Sequence, residues 1–489
     1  MALLPDHGIT VIESPDRNAA VSFEGSGCTA FLGRTLRGPL NTATVVGSAC
    51  EFRRKYGGDL SDSNMAISVS QFFAHGGDEA IIVRLANNAR SSVLTVPCPD
   101  GPLKLLARHP GASEVLRAAV DYDDIPAENT GNFNLSLQRL SGTKRMLDQE
   151  IHRNLSLAPD SPDYIESRLK ASDIASCMPV LAQQRPMANS MGTNRAYYED
   201  CLPGTDGGAL SDYDFVGSAR NSTGLFALDE VDALDFIYVP PEPDDSSPGP
   251  VLAAAAARYA LLQQATLILD PPASGATADF YGRTPNILTY DRRPDMRMGP
   301  SRVPVGGALA GMLADAAKQR PPAAGLSASR KKLSRQFVLR DTELRPQAGL
   351  GLLPGKDRIE FVDRAAVCSE LTDDRLNLAD FRVLLHMQRQ LLKTTGWCLF
   401  DKPGAELWQR LEHQVGDYLK ALVENNCIED QDWYVQCDAF TNTGCLLDKR
   451  QVRCLVSFRF RHSEQVRMFT LEQSTERASF TRSTFVRNN

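Results

Sequence analysis

The chain has 489 residues, 42% of them hydrophobic and 23% charged, with 53 Lys+Arg against 60 Asp+Glu for a net charge of -7. That length suits about three domains with apolar cores, and the composition excludes a disordered chain. The mild acidity argues against direct nucleic-acid binding through bulk charge.

In chain order, the start Met1–Gly8 has neither a basic region nor a long apolar stretch, so no signal peptide is expected. Ile9, Thr10, Val11 and Ile12 form a short β-branched strand with no nearby partner, which suggests an arm pairing elsewhere, on this chain or another. Cys28–Gly33 reads as a buried strand, Arg34–Asn41 as a polar loop turning at Gly38-Pro39, and Thr44–Val46 as a second strand. Ser48 is placed to cap a helix from Ala49 to Tyr56 that Gly57-Gly58 stops. A helix from about Asn64 to His75, ended by Gly76-Gly77, leads to a strand at Ala80–Leu85. Strand, helix and strand at this spacing make an α/β unit.

Residues 91–200 change character to short strands with Gly and Pro punctuation, and read as an inserted, mostly-β domain. Helical pieces are predicted near Asp163–Leu169 and Asn194–Asp200. Residues 201–345 return to α/β, with a strand at Phe236–Val239, an exposed loop at Glu242–Pro250, a helix at Val251–Gln264 and a strand at Ala265–Leu269. The Val251–Leu269 stretch is the most apolar of the chain, yet it carries Arg258, Gln263 and Gln264, so no membrane insertion is expected. A helix is predicted from Gly306 to Lys318. Further on come a helix at Leu378–Leu392, a strand at Trp397–Phe400, and a helix after Pro403 with Trp408, Leu411, Val415, Tyr418 and Leu422 on one face. In Val452–Phe460, residues Val452, Cys454, Val456, Phe458 and Phe460 point one way, and Arg453, Ser457 and Arg459 the other, with Leu455 the exception. Val466–Leu471 is a further strand.

Chemistry is hard to find. Leu350–Asp357 approximates a phosphate-binding loop but has Leu350 and Asp357 where Gly and Ser/Thr belong, so a plain turn is expected. The 11 cysteines are odd in number and scattered, which fits reduced thiols. Cys427, Cys437, Cys445 and Cys454 lack metal-ligand spacing and read as buried thiols. Asp121–Ile125 begins like a calcium loop but continues with Pro126 where Gly is needed. No nucleophile elbow or triad order stands out. The acidic run Asp229, Glu230, Asp232 and Asp235 could hold acid/base carboxylates, but it reads better as an interface or solvated face. No catalytic residue, metal or cofactor is assigned. The two ends differ in sign: residues 1–24 carry four acidic residues against Arg17, whereas residues 448–489 carry nine Lys/Arg against four Asp/Glu. Extended arms of opposite sign suit strand exchange between subunits, or folding back within the chain.

Several blocks, in order, resemble the contractile-tail sheath proteins of long-tailed bacteriophages and related injection machines. Gly8–Glu13 is similar to that family's N-terminal arm, and Ala30–Asn41, with Gly38 and Pro39, to its signature loop. Gln71-Phe72-Phe73-Ala74-His75-Gly76-Gly77 followed by Val83-Arg84 matches its helix–GG–strand block. Asn154–Ser172, Gly204–Gly207 with Gly224–Asp232, and Glu406–Leu422 around Trp408 resemble the end of its inserted domain, the start of its middle core and its C-terminal domain. The family's Pro-Ala-Glu-Phe-like run after Val456 is replaced here by Ser463–Phe469.

The resemblance implies an α/β (α+β multidomain) fold: a linking arm at 1–20, a core segment at 21–90, an inserted outward-facing mostly-β domain at 91–200, a middle α/β domain at 201–345, a C-terminal sheath domain at 346–460 packing with 21–90, and a second arm at 461–489. It implies a structural subunit, not an enzyme, that stacks with itself in hexameric rings around an inner tail tube, in contact with baseplate and tail terminator proteins. It also implies a virion location after assembly in host cytoplasm, and it makes Ile9–Ile12 and Val452–Phe460 inter-subunit strands. The sheath of a phage-derived injection particle has the same requirements. An α/β enzyme with its site at the strand ends is the rival from another class.

Overall fold

The computed structural model describes residues 27–126, 128–191, 196–231, 234–243, 249–270, 301–319, 378–442, 451–461, 463–474 and 478–482, and several strand segments between 287 and 377. β1 (Thr29–Gly33) and β2 (Thr44–Val46) precede α1 (Ala49–Tyr56), α2 (Met65–Ala74) and β3 (Ala80–Arg84). Then come β4 (Val93–Cys98), β5 (Gly101–Ala107), β6 (Val115–Asp121), β7 (Phe133–Leu140), β8 (Met146–Leu155), α3 (Ile165–Arg168), β9 (Ala175–Cys177) and β10 (Cys201–Leu202). Next are α4 (Asp212–Val216), β11 (Phe236–Tyr238), α5 (Pro250–Leu262), β12 (Thr266–Ile268) and β13 (Ile287–Leu288). β14 (Met296–Met298), β15 (Ser301–Arg302), α6 (Gly306–Gln319), β16 (Lys331–Lys332), β17 (Val338–Leu339), β18 (Leu352–Gly355), β19 (Arg358–Phe361), β20 (Ala366–Ser369) and β21 (Thr372–Asn377) follow in small antiparallel sheets around one helix. The chain closes with α7 (Leu378–Thr394), α8 (Ala405–Glu424), β22 (Tyr434–Gln436), β23 (Val452–Arg459), β24 (Val466–Gln473) and β25 (Ser479–Arg482).

The central sheet runs β13-β12-β11-β1-β3-β2, parallel except for β2 at its edge. Strands β1, β3, β11 and β12 are buried on both faces, as a parallel sheet between helices requires, while the edge strand β2 is partly exposed. Phe31, Ile82, Tyr238 and Ile268 point into one core with α2, α6, α7, α8 and the C-terminal strands. Ala30, Leu32, Val83 and Ile237 point into another, beneath the alanine face of α5. Strands from 29–84 and from 236–288 thus share one sheet, with β1 between β3 and β11.

Residues 93–202 build a mostly-β unit with its own core, around Leu94, Leu105, Leu116, Phe133 and Leu135. Its two ends meet in a neck, where Arg90 and Thr205 exchange backbone hydrogen bonds at 2.9 Å. Gly207 sits there at φ +80°, and a Cβ on it would lie 2.0 Å from the Asn87 carbonyl oxygen. Within 196–200 no helix forms.

Local signals explain the helices. The Ser48 hydroxyl accepts from the Glu51 N–H at 3.1 Å, and Gly57 ends α1 at φ +89°. α2 and α6 touch at backbone distance. Gly307 and Gly311, four residues apart, face the Ser68 and Phe72 carbonyl oxygens, where a Cβ would come within 2.4 and 2.3 Å. Trp397-Cys398-Leu399 is a helical turn, not the expected strand. It joins α7 to α8 with Trp397 buried and its indole N–H donating to Gln414 at 2.7 Å. Among the described residues no helix is long and apolar enough to cross a membrane.

Candidate assembly interface

The loop after β1 is a junction. Gly38 adopts φ +106° against the Tyr56 ring, where a Cβ would lie 2.5 Å from the ring. This turn, continued by Pro39, aims the Gly38 carbonyl inward at Arg84. The Arg84 guanidinium, 1% exposed, donates to Gly38 O and to Pro110 O, both at 2.7 Å. One side chain thereby ties the loop after β1 to the 93–202 unit. Ser113 Oγ donates to Leu36 O at 3.0 Å, and Asp206 accepts from the Ala112 N–H at 2.8 Å, so the joint is braced on several sides. Glu114 and Arg139 form a buried ion pair at 3.3 Å beside it. His109 is pushed down to about 4 by burial and by the cations of Arg84 and Arg139.

The Phe72–Gly77 block has a packing role. A Cβ on Gly77 would lie 2.3 Å from the Phe72 ring, and one on Gly76, at φ +106°, would meet Asp315 of α6 at 2.7 Å. Phe72 and Phe73 meet edge to face at 5.2 Å. Trp408 on α8 is partly buried against the same core, and its indole N–H has no hydrogen-bond partner among the described residues.

The C-terminal sheet runs β22-β23-β24-β25, all antiparallel. Val452, Cys454, Val456, Phe458 and Phe460 are all buried in this chain's own core. Phe458 stacks on Phe469 at 5.3 Å, and Phe469 on Phe480 at 5.0 Å. Within the single chain the strand expected between subunits at 452–460 is paired on both sides. Both neighbours of β23 belong to the same chain, and the aromatic ladder holds them in register. β24 and β25 fall within the segment 461–489 expected to be an arm. The expected outer face holds: Arg453 pairs with Glu472 at 2.7 Å and Arg459 with Asp432 at 2.6 Å. Between these pairs lie Leu455, Tyr434 and Met468, the last two exposed. Sequence reading passed over Tyr434, an aromatic on a three-residue edge strand. The candidate arm residues Ile9, Thr10, Val11 and Ile12 lie outside the described residues, as do Asp232 and Cys445.

The other candidate sites serve the fold. Leu352–Gly355 is a strand paired antiparallel with β19, and Leu350 and Asp357 lie outside the described residues. Asp121, at the end of β6, accepts from the amide of its cross-strand partner Asn134 on β7 at 2.7 Å. Asp229 accepts from the Tyr259 hydroxyl at 2.7 Å, and Asp235 from Arg389 at 2.6 Å. Cys427, Cys437 and Cys454 are buried, and the Cys454 thiol is pushed up by hydrogen bonding to Cys437 and by burial. Among the described residues no group of three or more ligand-type side chains could hold a metal. Where an α/β enzyme keeps its ligand, beyond the ends of β11 and β12, Asp270 accepts from the Tyr238 hydroxyl at 2.5 Å and from the Val305 N–H at 3.2 Å at the start of α6.

No protein-family model matches the chain, and no curated protein does. Solved structures do match. The sheath tail protein of Desulfitobacterium hafniense aligns over 93% of this chain and 97% of its own length, at 12% identity and TM-score 0.57. The sheath tail protein Lin1278 of Listeria innocua aligns over 93% and 96%, at 11% identity and TM-score 0.62. The chain has the α+β fold of tail sheath proteins, shared over nearly its whole length.

Proposed function

We propose that this chain is the structural subunit of a contractile tail sheath, stacking in hexameric rings around an inner tube and shortening to drive the tube through a target envelope. The observation that carries it is the full-length likeness to sheath tail proteins at 11–12% identity. The braced joints and the engaged carboxylate beyond β11 and β12 fit a load-bearing part better than an enzyme. The N-terminal arm, with Ile9–Ile12, pairs with an edge of the β22–β25 sheet in a neighbouring copy, β-augmentation guided by an acidic arm and a basic C-terminal region. Each added backbone hydrogen bond contributes about 1 kcal/mol net. The 93–202 unit, on its narrow neck, faces outward. Baseplate and terminator proteins bound the stack, and the particle is a phage tail or a phage-derived injection device. Contraction needs no nucleotide: the contracted lattice buries more surface per copy, summed over many copies.

Negative-stain microscopy of the purified chain tests this. Hollow sixfold tubes or rings are expected, and a monodisperse monomer refutes the reading. Deleting residues 1–14 leaves folded, soluble subunits that form no long tubes; normal polymers from that deletant rule out the arm.

A further inference from the structure

We propose that Cys437 and Cys454 form a modification site: a dithiol that closes to a cross-strand disulfide on meeting a small-molecule disulfide oxidant, and that the bond pins β22 to β23. Both residues are thiols in this structure. The register of β22 on β23 pairs Tyr434 with Ser457, Val435 with Val456 and Gln436 with Leu455. One step further, Cys437 falls opposite Cys454. Local bonds carry the pairing on to that point. The Cys437 thiol donates to the Arg453 carbonyl at 3.4 Å, and the thiols of Cys437 and Cys454 are hydrogen-bonded to one another. The Asn442 side-chain amide takes the place of the next ladder partner. It accepts from the Arg453 N–H at 2.7 Å and donates to the Arg453 carbonyl at 2.9 Å. The Cys437 N–H turns away from β23, to Glu412 at 3.3 Å. Arg453 thus directs its backbone groups toward β22, and Cys454 directs its own toward β24. Cys437 and Cys454 are therefore a non-hydrogen-bonded pair.

In such a pair the Cα atoms stand about 4.5 Å apart, inside the span of roughly 4.4–6.8 Å that a disulfide bridges. Both side chains point into the core, at 2% and 0% exposure, so the two sulfurs lie on the same side of the sheet. Cys454 sits on a strand flanked by β22 and β24, whereas Cys437 follows a three-residue edge strand. Fraying of that edge uncovers Cys437 first. Its thiolate attacks one sulfur of the oxidant, the oxidant's S–S bond breaks, and a mixed disulfide forms as the other sulfur leaves as a thiol. Cys454 then gives up its proton and attacks the Cys437 sulfur, which forms the protein bond and releases the second thiol. Two electrons pass from the protein to the oxidant, and the two thiol protons leave on its two halves. A reducing compartment leaves the pair open and an oxidising one closes it.

The test uses the full chain in two preparations. One is made in reducing cells and then incubated, folded, with oxidised glutathione. The other is made in cells with an oxidising cytoplasm, so that burial in the folded state does not limit access. Alkylation and non-reducing peptide mapping read the bonds. A peptide pair joined through Cys437 and Cys454, and lost on adding dithiothreitol, is expected in at least the second preparation. Amide exchange over 434–436 should slow roughly tenfold in the oxidised wild type, and Cys437→Ala should show no such change. The mapping needs wild type alone, so it decides even where Cys437→Ala does not fold. Both cysteines recovered as separate thiols from both preparations overturn the proposal. So does a bond from either one to Cys398, the buried thiol beside them, or to any other cysteine. A Cys437–Cys454 bond that leaves exchange over 434–436 unchanged overturns the pinning of β22.

Discussion

The central parallel sheet and the C-terminal antiparallel sheet feed the same core but are finished differently. In the central sheet every residue of β1 is buried, with Phe31 facing the shared core and Leu32 the core under α5. In the C-terminal sheet β23 alternates, Val456 inward and Leu455 outward, and the outer face carries ion pairs around a half-apolar middle. A sheet covered on both sides is committed within its own chain. A sheet covered on one side, with short strands at its edges, keeps backbone and surface available to a neighbour. In the contracting polymer proposed above, the first would suit a rigid body and the second a joint.

Charge insertion tests this contrast most severely. Phe31→Asp and Leu32→Asp should both abolish folding, because either carboxylate is stranded in a core at a cost of several kcal/mol. In β23, Val456→Asp should do the same, while Leu455→Asp should cost about 1 kcal/mol or less. Soluble expression and urea unfolding read the difference. Equal damage at 455 and 456 would mean that the outer face is covered within the subunit.

The joint between core and insert sharpens the contrast through pH. His109 has a folded pKa near 4, below the ordinary 6.5, so the folded state prefers the neutral ring. Its contribution is fully present above pH 6.5 and is lost as pH falls toward 4, by at most about 3 kcal/mol. His109→Gln should flatten the stability profile across that window. Arg84→Met removes two charge-assisted bonds to carbonyls and should cost about 2–3 kcal/mol, with faster amide exchange around 108–113. The smallest effect belongs to the outer face of the C-terminal sheet. Arg453→Ala should lower monomer stability by no more than about 1 kcal/mol, since the pair with Glu472 is partly solvated. Its larger consequence should be a changed salt dependence of polymer formation, measured by light scattering.

The chain's local code was legible wherever one residue sets its own neighbourhood. Ser48 and Gly57 delimit α1, and alternation from Val452 to Phe460 sorts β23 into faces. Gly76-Gly77 could be found as a helix end, but its partner Asp315 lies more than 200 residues away and leaves no local trace. Trp397–Leu399 misled because an apolar tripeptide between two helices has no period of its own. The Arg84 site was invisible for a related reason: burial of a guanidinium depends on what surrounds it.

Sequence by itself determined most of the elements, the inward and outward sides of β23 and the opposite charge of the two ends, because these depend on residues a few positions apart. Only the tertiary structure decided that strands from 29–84 and 236–268 share one sheet and that β23 pairs with its own chain on both sides. Those outcomes depend on which distant backbones compete for the same hydrogen bonds and the same apolar surface, a contest that no short stretch of chain encodes.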